Sequence, residues 1–277
     1  MAAGKRKGTG AKNSFFGGKK IRVMEMDIKK IDEENNVARF LFKGMEASFV
    51  NAIRRTIMEH VPTIAVEDVS IYFNNSVVFD EFLAQRLGLI ALKTDLKGYD
   101  LGDKVKLVLE KEGPCVVYSR DIKSTDPKIE VVDNNIPIVK LGKDQSVKIE
   151  MEAVMGSGKG HVKWQPAIVA YQHLPVIKQK KELDQKTMKQ VVDSCPTSVL
   201  EIKSNKVVLK DAFGCILCGA CRDIVQDDSI EVNHEPDSFI FSIETTGSLT
   251  PKEVFEQSVK ILGEKTGEFE KELKKLK

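Results

Sequence analysis

The chain has 277 residues, 42% of them hydrophobic, and its 43 basic residues nearly cancel 41 acidic ones to leave a formal net charge of +2. That length accommodates one large domain or a few small ones with a real core, and the charge balance leaves no whole-chain electrostatic footprint for nucleic acid. No apolar run of about 18 residues is present and no apolar leader opens the chain, so a membrane span and secretion are set aside and a cytoplasmic protein is expected.

Residues 1–20 hold Lys5, Arg6, Lys7, Lys12, Lys19 and Lys20, several glycines and no acid. Such a stretch has no apolar face to bury, and it reads as a flexible basic tail, solvated by default, with at most a weak touch on nucleic acid. From Ile21 to Ile28 apolar and polar residues roughly alternate, as in a half-buried strand. Glu33 to Asn36 supply a polar turn and Val37 to Phe42 the returning strand of a hairpin. From Met45 the period becomes helical, with Phe49, Ala52, Ile53, Thr56, Ile57 and His60 on one stripe, and Pro62 stops that helix.

Thr63 to Phe73 is strand-like, Asn74-Asn75 a turn, and Asp80 to Leu87 a short helix ending on Gly88. Between Leu101 and Tyr171, β-branched runs alternate with turn clusters such as Lys111-Glu112-Gly113-Pro114 and Asp133-Asn134-Asn135, which predicts a mostly β module. Lys178 to Val192 is a charged helical stretch, and Ser238 to Glu244 returns to a strand pattern. The last helix is well marked: Thr250 as N-cap, Pro251 at the first helical position and Glu253 completing a capping box. Phe255, Val259, Leu262, Thr266, Phe269, Leu273 and Leu276 then follow spacings of three and four. A seam about six turns long is more than a small domain covers, so part of it is expected to pack on a partner helix.

Four of the five cysteines carry the sharpest chemical signal. Cys215-Ile-Leu-Cys218-Gly-Ala-Cys221 is a C-x2-C-x2-C run, and Cys195, followed by Pro196, supplies a fourth thiol. Three thiolates spaced three apart on one curling loop can each reach a different iron of a cubane, with the remote cysteine closing the fourth corner. An iron–sulfur cluster is therefore expected on Cys195, Cys215, Cys218 and Cys221, 4Fe–4S before 3Fe–4S. Zinc is the alternative metal, although structural zinc favours two paired C-x2-C knuckles over this one-plus-three partition; a disulfide or reduced thiols is the third option. Cys115 has no cysteine neighbours in sequence and reads as a small buried hydrophobe.

Met155-Gly-Ser-Gly-Lys159-Gly-His161 resembles a phosphate loop only superficially. Ala153 stands where the first glycine belongs, Gly160 replaces the magnesium-binding hydroxyl, and no apolar helix follows. The histidines, at 60, 161, 173 and 234, lie apart with no nucleophile or carboxylate patterned around them, and no acidic triplet suits a two-metal centre. No catalytic residues are expected.

Asn51-Ala-Ile-Arg54-Arg55-Thr-Ile-Met-Glu-His-Val-Pro62-Thr-Ile-Ala65, continued by Val69 to Ser76 and by Asp80 to Ile90, is similar to the assembly module of RNA polymerase alpha-type subunits. Ile243-Glu-Thr-Thr-Gly247-Ser-Leu-Thr-Pro251 with its long helix resembles the way that module closes, and Gly158 to Pro166 resembles its middle. The cysteine-bearing insertion narrows the resemblance to the archaeal D-type family of RNA polymerase subunits, counterparts of the third subunit of eukaryotic RNA polymerase II. Gln85 departs from the histidine the family often carries before Arg-Leu-Gly.

The resemblance implies an α+β fold: a discontinuous alpha-type dimerisation domain at 21–60 and 232–277, an inserted β-rich domain at 61–180 and an inserted ferredoxin-like iron–sulfur domain at 181–231. It implies a non-catalytic scaffold subunit of DNA-directed RNA polymerase, pairing with subunit L as a heterodimer, joined by small subunits N and P and carrying the large catalytic subunits, with DNA met only indirectly. Phe255, Val259 and Leu262 are the expected pairing residues, and Arg54, Arg55 and Arg86 the expected contacts to a large subunit. The competing reading is a ferredoxin-like electron carrier or redox protein, but such carriers are usually small acidic chains that expose their cluster.

Overall fold

The computed structural model describes residues 15–16, 19–20, 27–34, 36–225 and 227–276. β1 (Phe15–Phe16) pairs antiparallel with β2 (Lys19–Lys20), and the remainder of the expected tail, with Ile21 to Met26, lies outside the described residues. β3 (Asp27–Glu34) and β4 (Val37–Lys43) form a hairpin turned at Asn36, whose φ is 69°. β3 takes in Glu33 and Glu34, expected in the turn, because the ladder with β4 continues to the Glu34–Val37 pair.

α1 (Ala47–His60) follows, buried through Val50, Ile53, Thr56 and Ile57. Phe49, expected on that stripe, is instead 44% exposed. Val50 takes its place, since spacings of three and four from it reach Ile53 and Ile57, and one residue back rotates a side chain by about 100°. The inserted unit comprises β5 (Pro62–Asn74), α2 (Asp80–Gly88), β6 (Lys104–Glu112), β7 (Cys115–Tyr118), β8 (Lys123–Ser124), β9 (Pro137–Leu141) and β10 (Ser146–Ser157). Its main sheet has the order β5-β10-β6-β8, and β7 pairs with β9. Val105, Leu107 and Leu109 alternate with exposed Lys104, Lys106, Val108 and Glu110 along β6, and with Leu83, Leu87, Ile149 and Met151 they build a core of their own.

β11 (Ala167–Gln179) leaves this unit. It pairs with β14 (Ile230–Thr245), which in turn pairs with β4, giving an antiparallel sheet ordered β11-β14-β4-β3. Residues 167–179 therefore sit in the sheet of the chain termini, whereas their sequence pattern groups them with the inserted β-rich stretch. An alternating strand looks the same in either sheet, and its partner here lies beyond the cysteine region. α5 (Pro251–Lys275) and α1 pack with this sheet around Phe42, Phe239, Phe241 and Val254.

Between β11 and β14 lies a third, small unit: α3 (Gln185–Asp193), β12 (Leu200–Lys203), β13 (Lys206–Leu209) and α4 (Ala220–Asp223). The expected helix from Lys178 starts only at Gln185, because Lys178 and Gln179 finish β11 and the Asp184 side chain caps the Thr187 N–H at 3.2 Å. Ser204 and Asn205, with φ of 51° and 57°, turn the β12–β13 hairpin. Met188, Val191, Leu200, Val207, Cys221 and Ile230 form its core.

Candidate functional site

Two features stand out, the long terminal helix and the cysteine pocket. α5 opens with the predicted capping box: the Glu253 N–H donates to the Thr250 hydroxyl at 3.3 Å, and the Thr250 N–H donates back to the Glu253 carboxylate at 2.9 Å. Such a cap stabilises a helix start by about 1 kcal/mol. The helix then passes from a covered first half to an open second half. Val254 and Ser258 are buried, and Phe255 and Leu262 pack with Val254 against the core around Phe42 and Phe241. Val259 is exposed, and beyond it Phe269, Leu273 and Leu276 project from the domain with Phe269 65% and Leu276 83% exposed. Large apolar side chains at Phe269, Leu273 and Leu276, three and four apart, form an uncovered helical seam. Of the three expected pairing residues on α5, then, Val259 faces outward and the other two are anchored in this chain.

The three arginines differ as well. Arg86 on α2 is committed within the chain: its Nε donates to the Ile138 carbonyl at 3.0 Å and its Nη2 to that of Pro137, so the guanidinium caps β9 carbonyls. Arg54 donates to Asn51 Oδ1 at 3.0 Å, and Arg55 forms an i,i+4 pair with Glu59 at 3.2 Å that is open to solvent.

In the cysteine region, one apolar pocket is lined by Cys195, Cys215, Cys218 and Cys221 together with Ile177, Val199, Leu200 and Val232. Cys195 follows the end of α3, its N–H donating to the Val192 carbonyl at 3.2 Å. The 215–221 loop curls through Leu217 at φ 54° and Gly219 at φ 82°, and Gln172 Nε2 on β11 ties it down by donating to the Cys215 carbonyl at 3.1 Å. Cys215 and Cys221 are buried and Cys218 is exposed. Burial pushes the Cys221 thiol up, and the Cys215 and Cys218 thiols add to the effect. Burial acts the same way on Cys195, but hydrogen bonds from the Val199 backbone and from Thr197 outweigh it and hold that thiol below its ordinary range.

Among the described residues no group of three or more His, Cys, Asp or Glu side chains is placed to hold a metal ion. Lining a common pocket is the looser relation, because a single zinc needs its sulfurs about 2.3 Å from one point. The donor set, four thiols around one apolar pocket with a glycine-turned loop, suits a thiolate-bound group.

The histidines are less scattered than their sequence positions suggest. β11 and β14 bring the rings of His173 and His234 together, tilted 38° with centroids 4.2 Å apart, and His173 Nδ1 is buried without a hydrogen-bond partner. Nothing local in the sequence signals that pair, since it arises from a ladder between strands more than 50 residues apart, with a register shift at His173/Leu174.

Residues 39–266 match the family model described as the RNA polymerase Rpb3/Rpb11 dimerisation domain. The chain is 36% identical over 264 residues to the DNA-directed RNA polymerase subunit Rpo3 of Methanosphaera stadtmanae, covering 87% of this chain and 96% of that one. It is 36% identical over 262 residues to Rpo3 of Pyrococcus furiosus, covering 91% and 98% of the two chains. With Rpo3 of Methanobrevibacter smithii it shares 37% over 269 residues, covering 89% and 97%. Rpo3 is the newer name of the archaeal D-type polypeptide.

Proposed function

The chain belongs to the RNA polymerase Rpb3/Rpb11 dimerisation-domain family, and from that premise we propose that it is an assembly platform, built by joining its α5 seam to the matching helix of an L/Rpb11-type partner. It is a subunit of a DNA-directed RNA polymerase, a nucleotidyltransferase complex, and is not itself catalytic. We extend the reading to subunits N and P and the large catalytic subunits as further partners of that heterodimer, to indirect contact with DNA, and to a cytoplasmic location. No helix among the described residues is long and apolar enough to cross a membrane.

One observation carries the pairing: α5 anchors its first turns in the core through Val254 and Phe255 and then carries Phe269, Leu273 and Leu276 out into solvent. A free helix bearing such a seam gains little from solvent, whereas a partner helix buries it at roughly 25 cal/mol for every Å2 of apolar surface covered. The test is co-purification of the full chain with its L-type partner. Phe269→Glu combined with Leu273→Glu abolishes the heterodimer while the chain alone stays folded; a heterodimer that survives both charges rejects the seam as the interface.

We further propose that Cys195, Cys215, Cys218 and Cys221 hold an iron–sulfur cluster, 4Fe–4S before 3Fe–4S, with a structural or regulatory role. Support comes from the shared apolar pocket and from the tether of Gln172 to the Cys215 carbonyl. When bound, such a cluster supplies iron–thiolate ties between the end of α3 and the 215–221 loop. Those ties fasten a unit whose own core is small.

A further inference from the structure

The chain crosses between the terminal sheet and the inserted sheet twice, at 60–62 from α1 into β5 and at 157–167 from β10 into β11. Two adjacent crossings of this kind usually make a hinge, since relative motion is the default for domains joined by short links. Here the second crossing is the glycine–lysine loop that mimics a phosphate loop in sequence, and it is packed against the first.

Gly158 lies on the last turn of α1, so close that a β-carbon built on it would stand 2.0 Å from the Met58 carbonyl oxygen. The next residue, Lys159, donates its N–H to the Glu59 carbonyl at 2.9 Å. The loop thus satisfies one of the carbonyls that a helix C-terminus leaves without an intrahelical partner. Trp164 closes the other side. Its ring rests on Gly156, where an added β-carbon would come within 2.4 Å of it, and its Nε1 donates to the Val154 carbonyl at 2.9 Å. The Thr63 hydroxyl, on β5, donates to the Trp164 carbonyl at 2.7 Å. Lys163 Nζ sits 4.6 Å from the Trp164 ring centroid and donates to the Val66 carbonyl at 2.9 Å and to the Glu67 carboxylate. A second anchor lies at Thr94, which accepts the Ile64 N–H at 3.1 Å and donates its own N–H to the Ser248 carbonyl, just before α5, at 3.0 Å.

We propose that the 156–165 loop is an interdomain lock, fastening the last turn of α1 to the end of the inserted sheet, and that with Thr94 as second anchor it makes the two domains one rigid body. Any surface the inserted domain offers is then held at a fixed angle to α5. Gly158 and Gly156 are required by steric approach to a backbone carbonyl and an indole, and the Lys163 side chain serves a carbonyl, a carboxylate and a ring.

Trp164 is the sole tryptophan of the chain, so its fluorescence reports on the lock directly. In the full chain, Gly158→Ala is expected to shift Trp164 emission to the red, raise its quenching by acrylamide and increase the radius of gyration measured by X-ray scattering. Amide exchange protection at Leu107 and Met151 stays as in the parent, because the inserted core is untouched. Thr63→Val, which removes one hydrogen bond and little volume, moves the same readings in the same direction by less, and it decides the matter if Gly158→Ala fails to fold. Unchanged emission and scattering in the folded variants would overturn the lock, and so would an exposed Trp164 with unchanged scattering.

Discussion

The ring of Phe255 stacks on that of Phe40, their centroids 5.6 Å apart and their planes 21° from parallel. Phe42 and Phe241 complete the group, at 5.9 and 6.4 Å from Phe255. The start of the last helix is thereby nailed to the first hairpin, and the outward half of α5 is aimed from that point. Phe255→Ala removes a half-buried ring from an aromatic cluster and is expected to cost about 3 kcal/mol of stability. A lower urea midpoint with an unchanged slope is the signature to look for; a midpoint like the parent's would mean that Phe255 belongs to the partner interface and not to this core.

Arg86 and Arg55 should respond very differently in size. Arg86→Met strips two charge-assisted hydrogen bonds from the Pro137 and Ile138 carbonyls, and it is expected to destabilise the inserted domain by about 2 kcal/mol. Arg55→Ala loses only a solvent-exposed pair with Glu59 and should stay within about 0.5 kcal/mol of the parent. Thermal melts of both variants in the absence of partners check the contrast, and equal melting points would contradict it.

His60 gives the joint a pH dependence. Burial lowers its pKa, Lys265 on α5 and Lys159 on the loop lower it further with Arg55, and Glu59 opposes them. The folded state therefore prefers the neutral ring. Its contribution is fully present above the ordinary value of about 6.5 and is lost as pH falls through the lower folded value. Between about pH 7 and about pH 5 the parent should lose more thermal stability than His60→Gln. Parallel melting curves for the two across that range would argue against a depressed His60.

For the cysteine pocket, protein purified without oxygen should show a broad visible absorbance and contain iron and sulfide in comparable amounts. Cys218→Ser, at the exposed corner, is expected to bleach that absorbance and speed amide exchange from Cys195 to Val225. A colourless protein with one tightly held zinc per chain would replace the cluster with a structural zinc.

The sequence by itself carried whatever depends on neighbours along the chain. The capping box at Thr250 and Glu253, the stop at Pro62, the alternation of β6 and the C-x2-C-x2-C spacing are local, since each needs only a few consecutive residues to be physically meaningful. The wording of residues 51–90 and 243–251 also sufficed to point to the family. Only the tertiary structure decided which sheet β11 joins, that Val50 and not Phe49 faces the core, and that Arg86 bonds β9 carbonyls. It alone divided the α5 seam into an anchored first half at Phe255 and Leu262 and a free second half at Phe269 and Leu273. The reason is the same in each case. A strand's period, a helix's apolar stripe and an arginine's fork are written locally, but their partners come from segments brought together by folding. Gly156 and Gly158 show it most clearly: in sequence they belong to the mimic of a phosphate cradle, and in space they are the clearance that Trp164 and Met58 require.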